Sequence, residues 1–392
     1  MISLDIRAAM KRYLTDVIRS DLIDKMVFIG GPRQVGKTTL ALDILGDADE
    51  EHPAYLNWDV IQTKQMLLEG ELPGDQELVI LDEIHKYKEW RNLVKGFYDQ
   101  YKSKRKFLIT GSARLDHYRR GGDSLQGRYH YHRLHPFSLD ELNDHPSRED
   151  VQYLLLFGGF PEPFIKGNDR FWKRWQRERQ SRIIQEDLIN LESVKEVSQL
   201  DLLAHILPNK VGSPLSINNL RKDLSVAFET AERWVQILEN LYHCYRIAPY
   251  GPPKIRAARK EKKLYMWDWS LCQNDGIRFE NLVASHLLKQ CHFVEDNEGD
   301  EMELRFLRDH NRREIDFIVL KNGEPQFAVE CKTGDQNVSK HISYFSTRTD
   351  IPYFYQVHLG NRDYEIAEMR TRVLPFNTFV QTENRIVSKV FK

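Results

Sequence analysis

The sequence lacks the features that mark several specialised classes of protein. Its 4 cysteines are scattered without a C-x-x-C pair, which favours reduced thiols over a disulfide framework or a zinc site. The first residues contain no apolar core of signal-peptide length, and no later run approaches the roughly 18 apolar residues of a membrane span. With 57 basic and 58 acidic residues, the chain is not a globally basic nucleic-acid coat. We therefore expect a cytoplasmic protein without a membrane partner.

The stretch that organises the chain is residues 26–40, MVFIGGPRQVGKTTL. A short apolar run ends at two glycines and a helix-forming sequence begins, which is the strand-to-helix context of the phosphate-binding motif G-x-x-x-x-G-K-S/T. Glycines let backbone N–H groups turn toward an anion, and the first helical turn adds unpaired N–H groups. We expect Lys37 to reach the β- and γ-phosphates of ATP and Thr38 to supply a hydroxyl to Mg²⁺. The alternative is a glycine turn followed by a chance Lys-Thr pair. The predicted nucleotide-binding residues of the loop are Gly31, Pro32, Arg33, Gln34, Val35, Gly36, Lys37, Thr38 and Thr39.

A second strand pattern, ELVILDEIH at residues 77–85, delivers two carboxylates at its carboxyl end. Open α/β sheets bind ligands at that edge. Asp82 is predicted to hold Mg²⁺, and Glu83 to orient and deprotonate the attacking water. The alternative is a pair of solvated acids that end a strand, which the upstream phosphate loop disfavours.

Two further features point to the γ-phosphate. The pattern KFLITGSARL predicts a buried strand that ends in the small hydroxyl residues Thr110 and Ser112, either of which could sense that phosphate. Arg128 follows a glycine in SLQGRY, and its guanidinium could neutralise charge on the transferred phosphoryl group. The other arginines considered for this role are Arg114, Arg119 and Arg120.

Five motifs together carry a family resemblance: GGPRQVGKTTL, LVILDEIHK, FLITGSARL, SLQGRYHYHRLHPFSLDEL and FGGFPEPF. They resemble the AAA+ group of prokaryotic ATPases whose C-terminal part is a DUF4143-like domain. The resemblance implies an ATPase core with Lys37 and Thr38 on the nucleotide, Asp82 and Glu83 as the Walker B pair, and Ser112 near the sensor position. It implies no particular substrate.

The middle of the chain is helical and charged. Residues 166–182 carry seven basic residues against two acidic ones, interleaved with aromatic residues. This pattern fits nucleic-acid contact, or a long helix whose aromatic side chains are buried and whose charges are solvated. Residues 200–269 show three helical patterns and then two short strands, an order that resembles a winged helix. The basic loop 254–263 could contact DNA phosphates; the alternative is a structural spacer or a protein-docking surface.

The C-terminal segment begins with an amphipathic helix that contains Glu280, and it continues as two strands joined by an Asn-Gly turn. Asp316 lies on the first strand, and Glu330 and Lys332 share one face of the second. This arrangement resembles the PD-(D/E)XK nuclease fold, in which the carboxylates would hold Mg²⁺ and the lysine would help to activate water. The alternative is an inactive scaffold.

The predicted fold class is α/β: a P-loop NTPase (AAA+) core, a helical lid, a winged-helix domain and a restriction-endonuclease-like α/β C-terminal domain. The expected boundaries are 1–137, 138–199, 200–269 and 270–392 in that order. The predicted function is Mg²⁺-dependent ATP hydrolysis coupled to conformational change on or near DNA. One alternative is a non-enzymatic, ATP-dependent protein-docking switch; another is a nuclease regulated by ATP. A homo-oligomer or a protein partner is a further expectation.

Overall fold

The fold divides at Pro136 into two units. The structure is a computed structural model that describes residues 11–47, 49–74, 76–111, 125–182, 197–251 and 261–382. The first unit comprises Met1–Pro136 with Asn240–Tyr242, and the second comprises Phe137–Glu239 with His243–Lys392. Ser112 and residues 254–260 of the predicted DNA-contacting loop lie outside the described residues.

The first unit is built on a sheet of five strands in the order β2-β3-β4-β1-β5, and every neighbouring pair is parallel. Its apolar runs form buried strands because parallel strands are covered by helices on both faces. β4 lies between β1 and β3, so the carboxyl ends of these three strands lie side by side. The strands are β1 (Met26–Gly30), β2 (Tyr55–Asn57), β3 (Leu78–Asp82), β4 (Lys106–Thr110) and β5 (Tyr129–Arg133). The helices are α1 (Thr15–Asp21), α2 (Lys37–Leu45), α3 (Ile61–Leu68) and α4 (Trp90–Tyr101), with a 3₁₀ turn at Ile84–Lys86.

One aromatic cluster fills the core on one face of this sheet. The ring of Phe28 on β1 stacks on Tyr129 of β5 at 4.4 Å between centroids, and it contacts Trp90 of α4 at 5.9 Å. Phe107 on β4 is 1% exposed in the same cluster. These rings therefore pack α4 against three strands of the sheet.

Helices form the first part of the second unit. Two begin with a capping box, from Ser138 with Glu141 and from Ser147 with Asp150. The helices are α5 (Leu139–Leu142), α6 (Arg148–Phe157), α7 (Pro161–Lys166), α8 (Asp169–Arg182), α9 (Val197–Ile206), α10 (Ile217–Leu224) and α11 (Phe228–Asn240), with a 3₁₀ turn at Leu207–Lys210.

Three side chains of helix α8 test the two interpretations of residues 166–182. Trp175 and Arg179 are each 3% exposed, and the Arg179 guanidinium lies 4.0 Å from the ring centroid of Phe160. The indole N–H of Trp172 donates to Ser270 Oγ at 3.0 Å. These groups pack inside the unit, so they do not form a surface for bases.

The second unit also contains an eight-stranded sheet in the order β12-β13-β11-β10-β9-β8-β6-β7. β8, β9 and β10 form an antiparallel meander, and β11 returns parallel to β10. β6 pairs with β7 and also with β8, so the predicted segments 200–269 and 270–392 share one sheet. The domain boundaries within the second unit therefore stay predictions. The strands are β6 (Cys244–Tyr250), β7 (Lys263–Met266), β8 (Met302–Arg308), β9 (Glu314–Lys321), β10 (Glu324–Lys332), β11 (Phe354–His358), β12 (Tyr364–Ile366) and β13 (Thr371–Pro375).

Two helices pack with these strands, α12 (Asp275–Glu298) and α13 (Lys340–Phe345). The predicted Asn-Gly turn joins β9 to β10, with φ of 52° at Asn322 and 86° at Gly323. Both values lie in the left-handed region that a two-residue hairpin turn requires. Within the described ranges, no helix is long and apolar enough to cross a membrane.

Candidate active site

The phosphate loop connects β1 to α2 in a conformation that its glycines permit. Gly31 has a φ of 138°, and a Cβ at this position would lie 2.4 Å from the carbonyl oxygen of Leu134. Gln34 has a φ of 61°, and Gly36, which caps α2, has a φ of 92°. No side chain caps the start of the helix, whose first N–H groups have no acceptor within an α-helix. The loop therefore has the concave backbone that anions prefer.

Lys37 is folded into this loop. It is 8% exposed, and its Nζ donates to the carbonyl oxygens of Gly31 at 3.0 Å and Pro32 at 2.7 Å. The ammonium is therefore held at the loop by neutral oxygens that phosphate oxygens could replace.

Asp82 is the centre of a hydroxyl network at the carboxyl edge of the sheet. Its Oδ2 accepts from Thr38 Oγ1 at 2.9 Å and from Tyr55 OH at 2.7 Å, and its Oδ1 accepts from Thr110 Oγ1. Burial and the Asp82 charge raise the pKa of the Tyr55 phenol well above its ordinary value. The structure thus brings together Thr38 and Asp82, the two residues predicted to hold Mg²⁺.

Glu83 follows in a left-handed conformation, with a φ of 58°. Its backbone N–H donates to the carbonyl oxygen of Thr110 at 3.1 Å, which fixes the turn against β4. Its Oε2 lies 3.2 Å from Lys86 Nζ and 3.8 Å from His85 Nε2. The carboxylate predicted to activate water therefore belongs to the residue that follows Asp82. It is ion-paired with Lys86.

Arg128 lies at the other end of the sheet. It precedes β5, whose first residue pairs with Met26 at the start of β1, and its carbonyl oxygen accepts from Met26 N–H at 3.3 Å. Its guanidinium pairs with Asp99 of α4 at 3.0 Å. A five-residue strand spans about 13 Å at roughly 3.3 Å per residue. The geometry therefore does not support a role of Arg128 on the nucleotide of its own chain.

Two residues that sequence reasoning missed support this site. In the sequence, Tyr55 is an ordinary strand residue of AYLNWD. Only the pairing of its strand, β2, with β3 places its hydroxyl on Asp82. Arg12 donates from Nη1 to the carbonyl oxygen of Val35 at 2.9 Å and from Nη2 to that of His135. No local pattern marks Arg12, since its partners lie 23 and 123 residues away.

A carboxylate cluster lies in the second unit, formed by residues of α12, β9 and β10. A lysine that the sequence assigned to the DNA-contacting loop lies within it: Lys263 is 1% exposed, so it cannot contact DNA, and that part of the prediction is wrong. Its Nζ lies 2.6 Å from Glu314 Oε1, 3.3 Å from Glu280 Oε1 and 3.6 Å from Asp316 Oδ1. The members of the cluster are Glu280, Glu314, Asp316 and Glu330.

Glu330 and Lys332 face the same side of β10, as predicted from strand alternation. Lys332 Nζ donates to Glu330 Oε1 at 2.8 Å, and Ser339 Oγ donates to the same oxygen at 3.1 Å. Burial, together with the neighbouring Asp316 carboxylate, raises the pKa of Glu330 to about 7, and the same two causes raise the pKa of Glu280 to about 7. Like charges are therefore crowded here.

The expected shared Mg²⁺ at this cluster does not fit the observed side chains. Among the residues that the structure describes, no three His, Cys, Asp or Glu side chains are arranged to hold a metal ion. Glu280 and Asp316 meet on Lys263, and Asp316 Oδ2 accepts the backbone N–H of Cys331 at 2.9 Å. The predicted residues converge, but an ammonium lies between them.

The first unit has a parallel sheet, a phosphate loop and a buried aspartate that accepts a hydrogen bond from the loop's threonine. Together these features define a P-loop NTPase core. Residues 24–143 match the AAA domain family, residues 148–275 match a domain of unknown function (DUF8612), and residues 275–379 match the domain of unknown function DUF4143. The chain therefore combines an AAA domain with a C-terminal DUF4143 domain, which confirms the resemblance seen in its motifs.

The chain is also similar to curated proteins whose activity is not described. An uncharacterized protein of Methanocaldococcus jannaschii is 22% identical over 356 residues, which cover 82% of this chain and 78% of that protein. An uncharacterized protein of Mycobacterium tuberculosis is 24% identical over 251 residues, which cover 63% of this chain and 55% of that protein. The match therefore spans about half the length of the mycobacterial relative.

Two solved structures resemble the chain weakly. The RuvB Holliday junction branch migration motor of Thermotoga maritima is 17% identical, with 62% of this chain and 87% of that chain covered and a TM-score of 0.29. The Orc1 protein of Aeropyrum pernix, solved in complex with DNA, is 12% identical, with coverage of 71% and 91% and a TM-score of 0.33. Scores of this size carry no argument about what this chain binds.

Proposed function

We propose that the chain is an ATPase that binds ATP with Mg²⁺ at the phosphate loop, hydrolyses it, and couples turnover to conformational change on or near DNA. The observation that carries the proposal is the hydrogen bond of 2.9 Å between Thr38 and Asp82. It joins the hydroxyl and the carboxylate that P-loop enzymes use for Mg²⁺, on two different elements. When bound, that ion would neutralise charge on the β- and γ-phosphates.

Lys37 and the loop backbone supply the binding energy for the phosphates. The ammonium gives up the carbonyl oxygens of Gly31 and Pro32 when it turns to charged phosphate oxygens, which form stronger hydrogen bonds than neutral carbonyls do. The uncapped N–H groups at the start of α2 add the positive end of a helix dipole.

Glu83 is the group proposed to orient and deprotonate the attacking water. It is adjacent in sequence to Asp82, and the hydrogen bond to Thr110 holds its backbone. Its carboxylate is ion-paired with Lys86, so it must leave that partner, or share it, to accept a proton from water.

Arg128 is proposed to act on the nucleotide of a neighbouring copy, which makes a homo-oligomer part of the proposal. Its position at the amino end of the sheet supports this version, since its own phosphate loop lies at the carboxyl end. The Arg128 side chain is 33% exposed and pairs with Asp99, so it lies near the surface.

DNA contact is proposed for the second unit. The sequence of α9, α10 and α11 followed by the β6–β7 pair has the order of a winged helix. Several basic residues on α8 are exposed, and a row of this kind suits phosphates without sequence readout. They are Arg170, Lys173, Arg174, Arg177 and Arg182.

The α-β-β-β-α-β order of α12 to β11, with β11 parallel to β10, supports the proposal of a PD-(D/E)XK-like domain. Lys263 within its carboxylate cluster favours the second candidate function, in which ATP binding exposes a protein-docking face and this domain is an inactive scaffold.

Two substitutions in the first unit test the ATPase. Lys37→Ala removes the charge that pairs with phosphates and should abolish ATP binding, whereas Glu83→Gln should keep binding and block turnover. Glu71→Gln, an exposed glutamate of the same unit, serves as the control. ATP binding is measured by equilibrium dialysis and turnover by phosphate release. Turnover at the wild-type rate in Glu83→Gln would refute the assignment of this glutamate.

A mobility-shift assay with DNA, with and without ATP and at several salt concentrations, separates the two candidate functions. DNA binding that weakens with salt supports action on DNA. ATP binding without hydrolysis, and without DNA binding at any salt concentration, would favour the docking switch.

A further inference from the structure

The backbone of Lys263 is held from both sides. It is the first residue of β7, it pairs with Ile247 of β6, and it forms a bridge with Pro214 on its other side. Because both neighbours fix the strand, the direction of the side chain is determined by the sheet. That direction is inward, where the side chain is 1% exposed.

The ammonium of Lys263 is surrounded by acceptors. Glu314 and Glu280 each place one oxygen at hydrogen-bond distance from Nζ, and Asp316 places one at 3.6 Å. The ring of Phe306 lies 5.5 Å from Nζ. Burial alone would lower the pKa of Lys263, but the three carboxylates raise it above its ordinary value, so the ammonium remains charged.

Most of the other oxygens of these carboxylates also have hydrogen-bond or ion-pair partners. Glu280 Oε1, which pairs with Lys263, also accepts from Tyr265 OH at 2.8 Å. Glu314 Oε2 lies 3.7 Å from Arg308 Nε, and Asp316 Oδ2 accepts the N–H of Cys331. A divalent ion at this position would have to displace Lys263 or lie against its positive charge.

We propose that Lys263 is the resident cation of the carboxylate cluster, and that it closes a latent divalent-metal site in the position where PD-(D/E)XK-like nucleases hold Mg²⁺. The second unit then requires no metal at this cluster. The lysine also explains how three carboxylates coexist in a half-buried place, since an uncompensated buried charge is strongly unfavourable.

Two oxygens remain for the opposite interpretation, since Glu280 Oε2 makes no hydrogen bond or ion pair within the described residues. Glu330 Oε2 is buried and has no hydrogen-bond partner among the described residues, while Glu330 Oε1 is taken by Lys332 and Ser339. A Mg²⁺ ion bound by these oxygens would have to complete its octahedral shell largely with water. A metal that recruited Asp316 as a second ligand would contradict the proposal, and substitution of Asp316 detects it.

The test is a titration of the nucleotide-free full chain with Mn²⁺, followed by electron paramagnetic resonance. Any Mn²⁺ binding by the wild type should be unchanged in Asp316→Asn. Lys263→Met, which keeps the length of the side chain and deletes its charge, should gain one Mn²⁺ per chain, at least tenfold tighter than any site of the wild type. The double variant Lys263→Met with Asp316→Asn should lose that site again.

Matched controls separate charge from fold. Lys262→Met, at the neighbouring partly exposed lysine, and Lys263→Arg, which keeps the charge, should both bind Mn²⁺ as the wild type does. Circular dichroism checks that each variant is folded. A folded Lys263→Met that gains no Mn²⁺ overturns the proposal, as does wild-type binding that Asp316→Asn removes. If Lys263→Met does not fold, the comparison of Mn²⁺ binding by the wild type and by Asp316→Asn tests the proposal by itself.

Discussion

Tyr55→Phe deletes one hydroxyl from the network on Asp82 and little else. The Tyr55 ring is 8% exposed, and its hydroxyl donates to a carboxylate that is 4% exposed. Asp82 keeps its hydrogen bonds from Thr38 and Thr110, so the variant should fold. A hydrogen bond to a charged group contributes about 1.5–3 kcal/mol to the free energy of unfolding. We expect the first unit to lose that amount.

The expected loss can be converted into a temperature. For domains between small and medium size, 1 kcal/mol moves the unfolding midpoint by about 2–8 °C. At about 4 °C per kcal/mol, where the ranges for small and medium-sized domains meet, Tyr55→Phe should lower the midpoint of the first unit by roughly 6–12 °C. Differential scanning calorimetry gives the midpoint, and hydrogen exchange of the β3 and β4 amides shows that the loss belongs to this unit.

The same variant has a characteristic pH dependence. The folded pKa of Tyr55 is raised above the unfolded value of about 10, so as pH rises past about 10 the unfolded chain releases its phenol proton first. The stability that Tyr55 contributes is present below about pH 10, and it falls above it by up to about 1.4 kcal/mol per pH unit. The difference in stability between the wild type and Tyr55→Phe should therefore shrink above pH 10.

The control is Tyr87→Phe, which alters a partly buried tyrosine that packs against the same core. Its ring stacks on Trp58 at 5.0 Å, and its hydroxyl has no hydrogen-bond partner within the described part of the chain. It should change the midpoint by much less than Tyr55→Phe does. Equal effects of the two variants, or a difference between wild type and Tyr55→Phe that is unchanged up to pH 11, would refute the reasoning.

Three more predictions concern the loop, the oligomer and the second unit. Gly31→Ala should abolish ATP binding while the second unit stays folded, because the new Cβ would lie 2.4 Å from the Leu134 carbonyl oxygen; calorimetric binding with normal affinity would contradict this. Mixing Arg128→Ala chains with Lys37→Ala chains should restore turnover, since an intact loop then meets an intact arginine; no rescue, together with monomeric behaviour in ATP, would rule this out. Lys289→Met should cost the second unit about 3–5 kcal/mol in unfolding free energy, since its ammonium, 2% exposed, pairs with two carboxylates of α5; urea denaturation measures it, and a loss below 1 kcal/mol would count against the ion cluster.

The first unit could be predicted in outline because its chemistry is local in sequence. The phosphate loop, its lysine and threonine, and the Asp82–Glu83 pair each belong to a short pattern that combines strand, turn and helix preferences. The hydroxyls that hold Asp82 could not be assigned in this way. Tyr55 and Thr110 reach it only because β2 and β4 flank β3, and strand order is a long-range property.

Arg128 shows the same limit. Its place after a glycine and before a strand was correct, but the sequence does not say which end of the sheet that turn occupies. Parallel pairing of β5 with β1 puts it at the amino end, away from the nucleotide of its own chain.

By itself, the sequence determined that the chain carries an AAA-type nucleotide loop and a C-terminal strand pair with Asp316, Glu330 and Lys332, because backbone preferences and residue spacing act over a few residues. Only the tertiary structure decided what the carboxylates face. Lys263 stands at the end of a basic loop, where a lysine is ordinarily solvated, and it points inward because β6 and Pro214 fix its strand from both sides. The cost of burying like charges together is then offset by an ammonium that lies 51 positions before Glu314 in the chain, a pairing that no local pattern encodes.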